Sequence, residues 1–158
     1  MPAFETSSPL PGDGRLPLAL GLAGLLPFLA GAAAAWLAPV AWQAMAIPAF
    51  LAYSAVILSF LGGVQWGVAM SLEPAGSDGF RARLLLSMVP SLIAWPALLL
   101  HPLTGAWVLV AGFLLVRLHE CGRGSRELLP DWFQSLRTLL TVVVVACHGL
   151  VIWRLGVA

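Results

Sequence analysis

Tyr53-Ser54-Ala55-Val56-Ile57-Leu58-Ser59-Phe60-Leu61-Gly62-Gly63-Val64-Gln65-Trp66-Gly67 is an apolar run whose few polar and small residues recur at helical spacing. Read as a helix, it sets Ala55, Ser59, Gly63 and Gly67 on one ridge and Ser54 and Gln65 on the opposite side. Small residues let helix backbones approach closely in hydrocarbon, whereas an amide such as Gln65 finds no partner in lipid. A helix marked on both faces in this way is expected at the centre of a bundle, surrounded by protein.

The rest of the chain has the same character. With 60% hydrophobic and 9% charged residues among 158, it is too apolar and too sparsely charged for a soluble domain. All eight basic residues are arginines, and they form no run or stripe of the kind that a nucleic-acid surface needs, which excludes that class of partner. Cys121 stands in a polar loop and Cys147 deep in the last apolar segment, so neither a disulfide framework nor a CxxC motif is present.

Residues 1–15, with Pro2, Pro9, Pro11, Gly12 and Gly14 among acidic and hydroxyl residues, are expected to form a flexible tail. Five apolar segments follow, at about 16–38, 44–72, 82–101, 103–118 and 135–157. Each is close to the ~20 residues that cross ~30 Å of hydrocarbon, and no alternating pattern points to a barrel. The fold expected for residues 16–158 is therefore all-α, a polytopic membrane bundle of five transmembrane helices. The first segment is read as a retained helix, because Glu5 and Asp13 before a single Arg15 make a poor signal-peptide start.

Orientation follows from the arginines. Arg15, Arg81, Arg83, Arg117, Arg123, Arg126 and Arg137 fall on one side and only Arg154 on the other, which predicts a cytoplasmic N-terminus and an exported C-terminus. The opposite side has only two tight, uncharged turns, Pro39–Trp42 and His101–Thr104, with Trp36, Trp42 and Trp107 near them as interfacial aromatics. The one long loop, 119–134, is charged and cytoplasmic, so a surface for a partner is expected there.

Several side chains in the apolar segments could carry chemistry. Ser87, Ser91 and Trp95 share a face of the third helix, where Pro90 and Pro96 free the carbonyls of Leu86 and Leu92. Arg137, Thr141, Val144 and His148 lie in a narrow arc of the last helix, and an ionisable residue as deep as His148 is a functional candidate by default. Arg137 is expected to anchor at the interface, its guanidinium reaching lipid phosphates or pairing with Asp131 or Glu127, and His148 to hydrogen-bond to the second or third helix. His119-Glu120-Cys121 offers metal-capable side chains, but adjacent residues diverge by about 100° on a helix and do not converge on an ion. No HExxH, nucleophile elbow or phosphate loop is present.

Two stretches taken together, Ile57-Leu-Ser-Phe-Leu-Gly-Gly-Val-Gln-Trp-Gly67 and Pro130-Asp-Trp-Phe-Gln-Ser-Leu-Arg-Thr-Leu-Leu-Thr141, resemble domain-of-unknown-function family 3429, small bacterial membrane proteins with eukaryotic relatives in the mitochondrial transmembrane protein 69 group. The resemblance spans about residues 17–150. It implies about five helices in an energy-conserving membrane and supplies no activity, substrate or catalytic residue. In that family histidine is common in place of Gln65 and tyrosine in place of Phe133, so an ionisable group is not required at position 65.

The sequence thus predicts a multi-pass protein of a bacterial inner membrane, non-enzymatic, with neither cofactor nor metal, serving as a binding, accessory or assembly protein for a membrane complex. The alternative is a receptor or carrier for a flat hydrophobic ligand such as a porphyrin, quinone or sterol, an analogy of architecture with the tryptophan-rich five-helix sensory proteins suggested by seven tryptophans. In either case the ligand-facing interior is expected from Gln65, Ser91, Trp95 and His148, flanked by Tyr53, Ser59, Trp66, Arg137 and Thr141. The partners expected are the lipid bilayer and another membrane protein or a hydrophobic small molecule.

Overall fold

The computed structural model describes residues 15–122 and 131–157. Among these the chain forms six helices: α1 (Arg15–Ala23), α2 (Leu26–Leu37), α3 (Val40–Leu72), α4 (Asp78–Ala97), α5 (Pro102–Glu120) and α6 (Asp131–Gly156). Four stretches are long and apolar enough to cross a membrane: Leu16–Leu37, which joins α1 to α2, Val40–Leu72, Pro102–Glu120 and Trp132–Gly156. Helix α4 falls outside that group, since Asp78, Arg81 and Arg83 occupy its first turns.

Burial runs opposite to that of a soluble protein. Gln65, Arg83, Glu120, Arg137 and His148 are buried, while Leu85, Leu92, Trp95, Leu99 and Leu118 stand exposed. Such an exterior is stable only against hydrocarbon, and the chain is a multi-pass membrane protein.

The first span is broken rather than continuous. Pro27 has no N–H for the carbonyl of Ala23, and the helix turns at Gly24–Leu25 before resuming. The Gly24 carbonyl, which an unbroken helix would pair with Phe28, instead accepts from the Tyr53 hydroxyl at 2.9 Å. A buried aromatic cluster lies just beyond the break, with Phe28 ringed by Phe50, Tyr53 and Phe113 at 5.0–6.2 Å between centroids.

Helix α3 packs on α2, α4 and α5, the central place expected of it, and α6 packs on α5, α2 and α1. Its packed face differs from the expected ridge. Ala55 is buried and Ser59 half-buried, but Gly63 and Gly67 are exposed, and a methyl group added at either would meet nothing within 4 Å. The inward face carries Leu51, Ser54, Leu58, Leu61, Gly62, Gln65 and Ala69 instead. Close approach occurs at Gly62, where a Cβ would run into the backbone carbonyl of Ser87 on α4 and sit 3.4 Å from Pro90. Gly112 of α5 plays the same part against Leu58, 2.6 Å from where its Cβ would be. Spacing alone could not tell a ridge through Gly63 from one a residue earlier, because both glycines are small and only the partner helix chooses between them.

The connections are tighter than the hydropathy suggested. Of the expected turn Pro39–Trp42, only Pro39 lies outside the helix, its carbonyl already accepting from Trp42 and Gln43 at 2.8 and 3.0 Å. Ser77 caps α4 by accepting from the Phe80 N–H at 3.1 Å, so that helix starts at Asp78 rather than at 82.

Candidate functional site

Polar and charged side chains from four helices meet at the end of the bundle where α3 and α5 finish and α6 begins. Glu120, the last residue of α5, is 1% exposed and is the hub. Arg137 on α6 donates to it through Nε, 3.1 Å to Oε2, and through Nη2, 3.1 Å to Oε1. Arg117, one turn earlier on α5, stands 3.7 Å from the same carboxylate. Gln65 on α3 donates from Nε2 to Glu120 at 3.2 Å, while its Oε1 accepts from Arg83 Nη1 on α4 at 2.9 Å. Arg83 Nε in turn donates to Glu73 at 2.6 Å, just past the end of α3.

The result is one continuous line, Glu73–Arg83–Gln65–Glu120–Arg137, across the width of the bundle. A charge buried without a partner is strongly destabilising, so each of these groups is held there by its neighbours. Donors outnumber acceptors. Arg117 bonds Gln134 Oε1 at 2.9 Å and Thr138 Oγ1 at 2.6 Å, yet its Nε and the Gln134 Nε2 are buried without an acceptor among the described residues.

Beside this network, between α1, α3 and α6, runs a groove of about 350 Å³. Its walls are apolar, including Leu20, Phe28, Ile57, Phe60 and Leu136, and the charged or hydroxyl side chains that reach it are Arg137 and Thr141. The break at Gly24–Leu25 shapes it, because Gly21 and Gly24 line the groove with no side chain to fill it. A smaller cavity of about 270 Å³ lies across the bundle between α4 and α5, reached by Gln65 and His119. The Glu120 carboxylate, bonded to Gln65 and to Arg137, therefore stands between the two.

The nine side chains expected to line one interior are scattered. Gln65 faces protein and is joined to Arg137 through Glu120, and Arg137 and Thr141 share the groove. Arg137 is buried rather than an interfacial anchor, and its counter-charge among the described residues is Glu120; Glu127 and the side chain of Asp131 lie outside what the structure describes. The Thr141 hydroxyl donates to the Arg137 carbonyl at 2.9 Å. The arc Arg137, Thr141, Val144, His148 is the buried face of α6. His148 sits at its far end, with Nδ1 2.9 Å from the Val144 carbonyl of its own helix rather than bonded to α3 or α4. Its ring lies 4.7 Å from Phe50 and 5.7 Å from Phe113, an aromatic enclosure in place of a polar cavity.

Trp95, at 68% exposed, and Trp66, at 46%, point outward, and Ser59 and Ser91 are half-buried. The cavity expected from Gln65, Ser91, Trp95 and His148 is thus not assembled. Tyr53 ties the helix break. The residues that sequence reasoning passed over are Glu73, Arg83, Arg117 and Glu120. Their signal was in view: two carboxylates at helix ends, each within reach of an arginine on the next helix, in a chain with 9% charge.

The chain was compared with known proteins on this footing. The family model described as "Protein of unknown function (DUF3429)" matches residues 14–153. Transmembrane protein 69 of Xenopus tropicalis is 43% identical over 130 residues, 81% of this chain and 50% of that protein. Its mouse counterpart is 35% identical over 135 residues, 80% of this chain and 51% of that protein. The chain therefore spans about half the length of the curated relatives it matches. No solved structure matches.

Proposed function

The chain belongs to the DUF3429 family of proteins of unknown function, and from that premise we propose a non-enzymatic membrane binding protein, a receptor or carrier that takes a hydrophobic small molecule from the bilayer into the groove between α1, α3 and α6. The groove itself carries the reading. At about 350 Å³ it falls within the range of small-molecule sites, ~300–1,000 Å³, and it combines apolar walls with a few polar groups at one end. It opens to the side, where a lipid-dissolved ligand would enter.

Five crossings complete the proposal. The 20 residues of α4 span ~30 Å, and this helix lies between α3 and α5 with Leu85, Leu92 and Trp95 outward, as a lipid-facing helix would. The arginine asymmetry puts the network end, with the N-terminus, in the cytoplasm of a bacterium, and the membrane is its inner one.

An accessory or assembly role in a membrane complex is the second reading. It is favoured by the charged side chains gathered at one end of the bundle, Glu73, Arg83, Arg117, Glu120 and Arg137 among the described residues. Purification of the chain in mild detergent followed by native mass spectrometry separates the two. A small molecule that leaves when Val64→Trp fills the groove supports the first; a co-purifying polypeptide with an empty groove supports the second and overturns the first.

A further inference from the structure

Arg137 is the charged residue that lines the groove, and only part of its guanidinium is used. Its side chain is 10% exposed, and the bonds to Glu120 engage Nε and Nη2 along one edge of the planar fork. Nη1 makes no hydrogen bond among the described residues. A guanidinium has five N–H donors, so the second edge, formed by Nη1 and the remaining Nη2 hydrogen, is free to hold another planar acceptor pair.

Charge points the same way. The network sets Arg83, Arg117 and Arg137 against Glu73 and Glu120, one positive charge in excess among the described residues. A buried cation surplus beside an apolar groove is stabilised by an anion that arrives attached to an apolar body.

We infer that the groove takes an amphiphile with a single carboxylate head, a long-chain carboxylate, seated with its two oxygens on the free edge of Arg137 and its chain along Leu136, Ile57 and Phe28. The inference rests on the groove being a binding site, as proposed above, and adds the chemistry of the occupant. A carboxylate is preferred to a phosphate ester because it is planar and matches the fork in two parallel bonds. A single chain is preferred because the volume, about 350 Å³, is at the small end of the range for ligand sites.

The test uses the full chain in phosphatidylcholine nanodiscs and a photoactivatable diazirine derivative of palmitate, beside the alcohol with the same chain. Crosslinks to α3 and α6 are mapped by mass spectrometry. The carboxylate is expected to label the groove about tenfold more than the alcohol, the ratio set by a charge-assisted pair of bonds. Unlabelled palmitate should displace it.

Arg137→Lys keeps the charge against Glu120 but loses the fork, and should cut the preference several-fold. The double variant Glu120→Gln with Arg137→Gln, which leaves neither partner as a lone charge in that pair, should bring it to about one. Equal labelling by acid and alcohol in the unaltered protein, or a preference unchanged in both variants, sinks the carboxylate inference while leaving the groove reading standing. Displacement by phosphatidylglycerol but not by palmitate assigns the edge to a lipid phosphate and also overturns it. Labelling of the groove by neither probe, or labelling that Val64→Trp does not abolish, overturns the groove reading itself.

Discussion

At position 62 the packing leaves room for a hydrogen and nothing more, because a Cβ there would meet the Ser87 carbonyl of the neighbouring helix. Gly62→Ala should therefore destabilise by roughly 1–3 kcal/mol, the usual cost of overpacking, while Gly63→Ala, facing open space, should leave stability unchanged. Thermal unfolding of the two variants in one detergent checks the pair; equal behaviour would mean that α3 is rotated from the position described. The second residue-scale expectation concerns Glu120. Glu120→Gln leaves Arg137 buried without its counter-charge and should cost about 3–5 kcal/mol, whereas adding Arg137→Gln should recover most of that loss. A double-mutant cycle measures the coupling, and additive losses would show that the two groups do not interact. Neither residue's role was legible beforehand. Adjacent glycines look alike until a partner helix is in place, and Glu120 was weighed only as a metal ligand, by whether its neighbours converge on an ion, so its reach to an arginine on another helix went unexamined.

At the scale of the element, the break at Gly24–Leu25 is held by one side-chain hydrogen bond. Tyr53→Phe keeps the ring among Phe28 and Phe50 but leaves the Gly24 carbonyl without its donor, in a setting with little water to replace it. The expected loss is about 1 kcal/mol, within the range of single hydrogen bonds in membranes, accompanied by greater hydrogen exchange in residues 20–28. Unchanged exchange would show that Pro27 alone sets the break. Helix identity and approximate extent could be read from hydropathy, since twenty or so apolar residues leave few alternatives to a span. The break could not: Pro27 gave a local reason for it, but Tyr53 is distant in sequence and its hydroxyl had no evident partner. The ends moved for similar reasons, as Ser77 begins α4 early and Pro39 lets α3 start at once.

For the molecule as a whole, the proposed topology gives the plainest expectation. A reporter that works only outside the cytoplasm should be active when fused after Ala158 and silent when inserted at Ser125; the reverse pattern would invert the orientation. The polar interior was legible as a principle, because ionisable residues in apolar segments face protein; Gln65 is buried as expected, whereas Arg137, expected at the interface, is buried too. Which of them meet was not, since that depends on how the helices are arranged around one another, and period alone fixes a residue's face but not its depth relative to a neighbour. Trp95 shows the difference: it stands about two turns after Ser87, yet is 68% exposed, because the packed face of α4 runs through Ser87, Pro90, Ala94 and Ala97 and Trp95 is rotated off it.

The line of charges also bears on how the chain is made. Glu73 and Arg83 belong to the hairpin of α3 and α4, and Glu120 with Arg117 and Arg137 to the hairpin of α5 and α6. Each hairpin thus brings a counter-ion for its own carboxylate and can leave the insertion machinery with no carboxylate waiting in lipid for a later helix. The bond from Gln65 to Glu120, from an uncharged amide, crosses between the hairpins at the network end, as the bond from Arg154 to Gln43 does at the other. Assembly can proceed pair by pair, with the two hairpins docking last through the amide side chains of α3, which cost less to leave open than a charge.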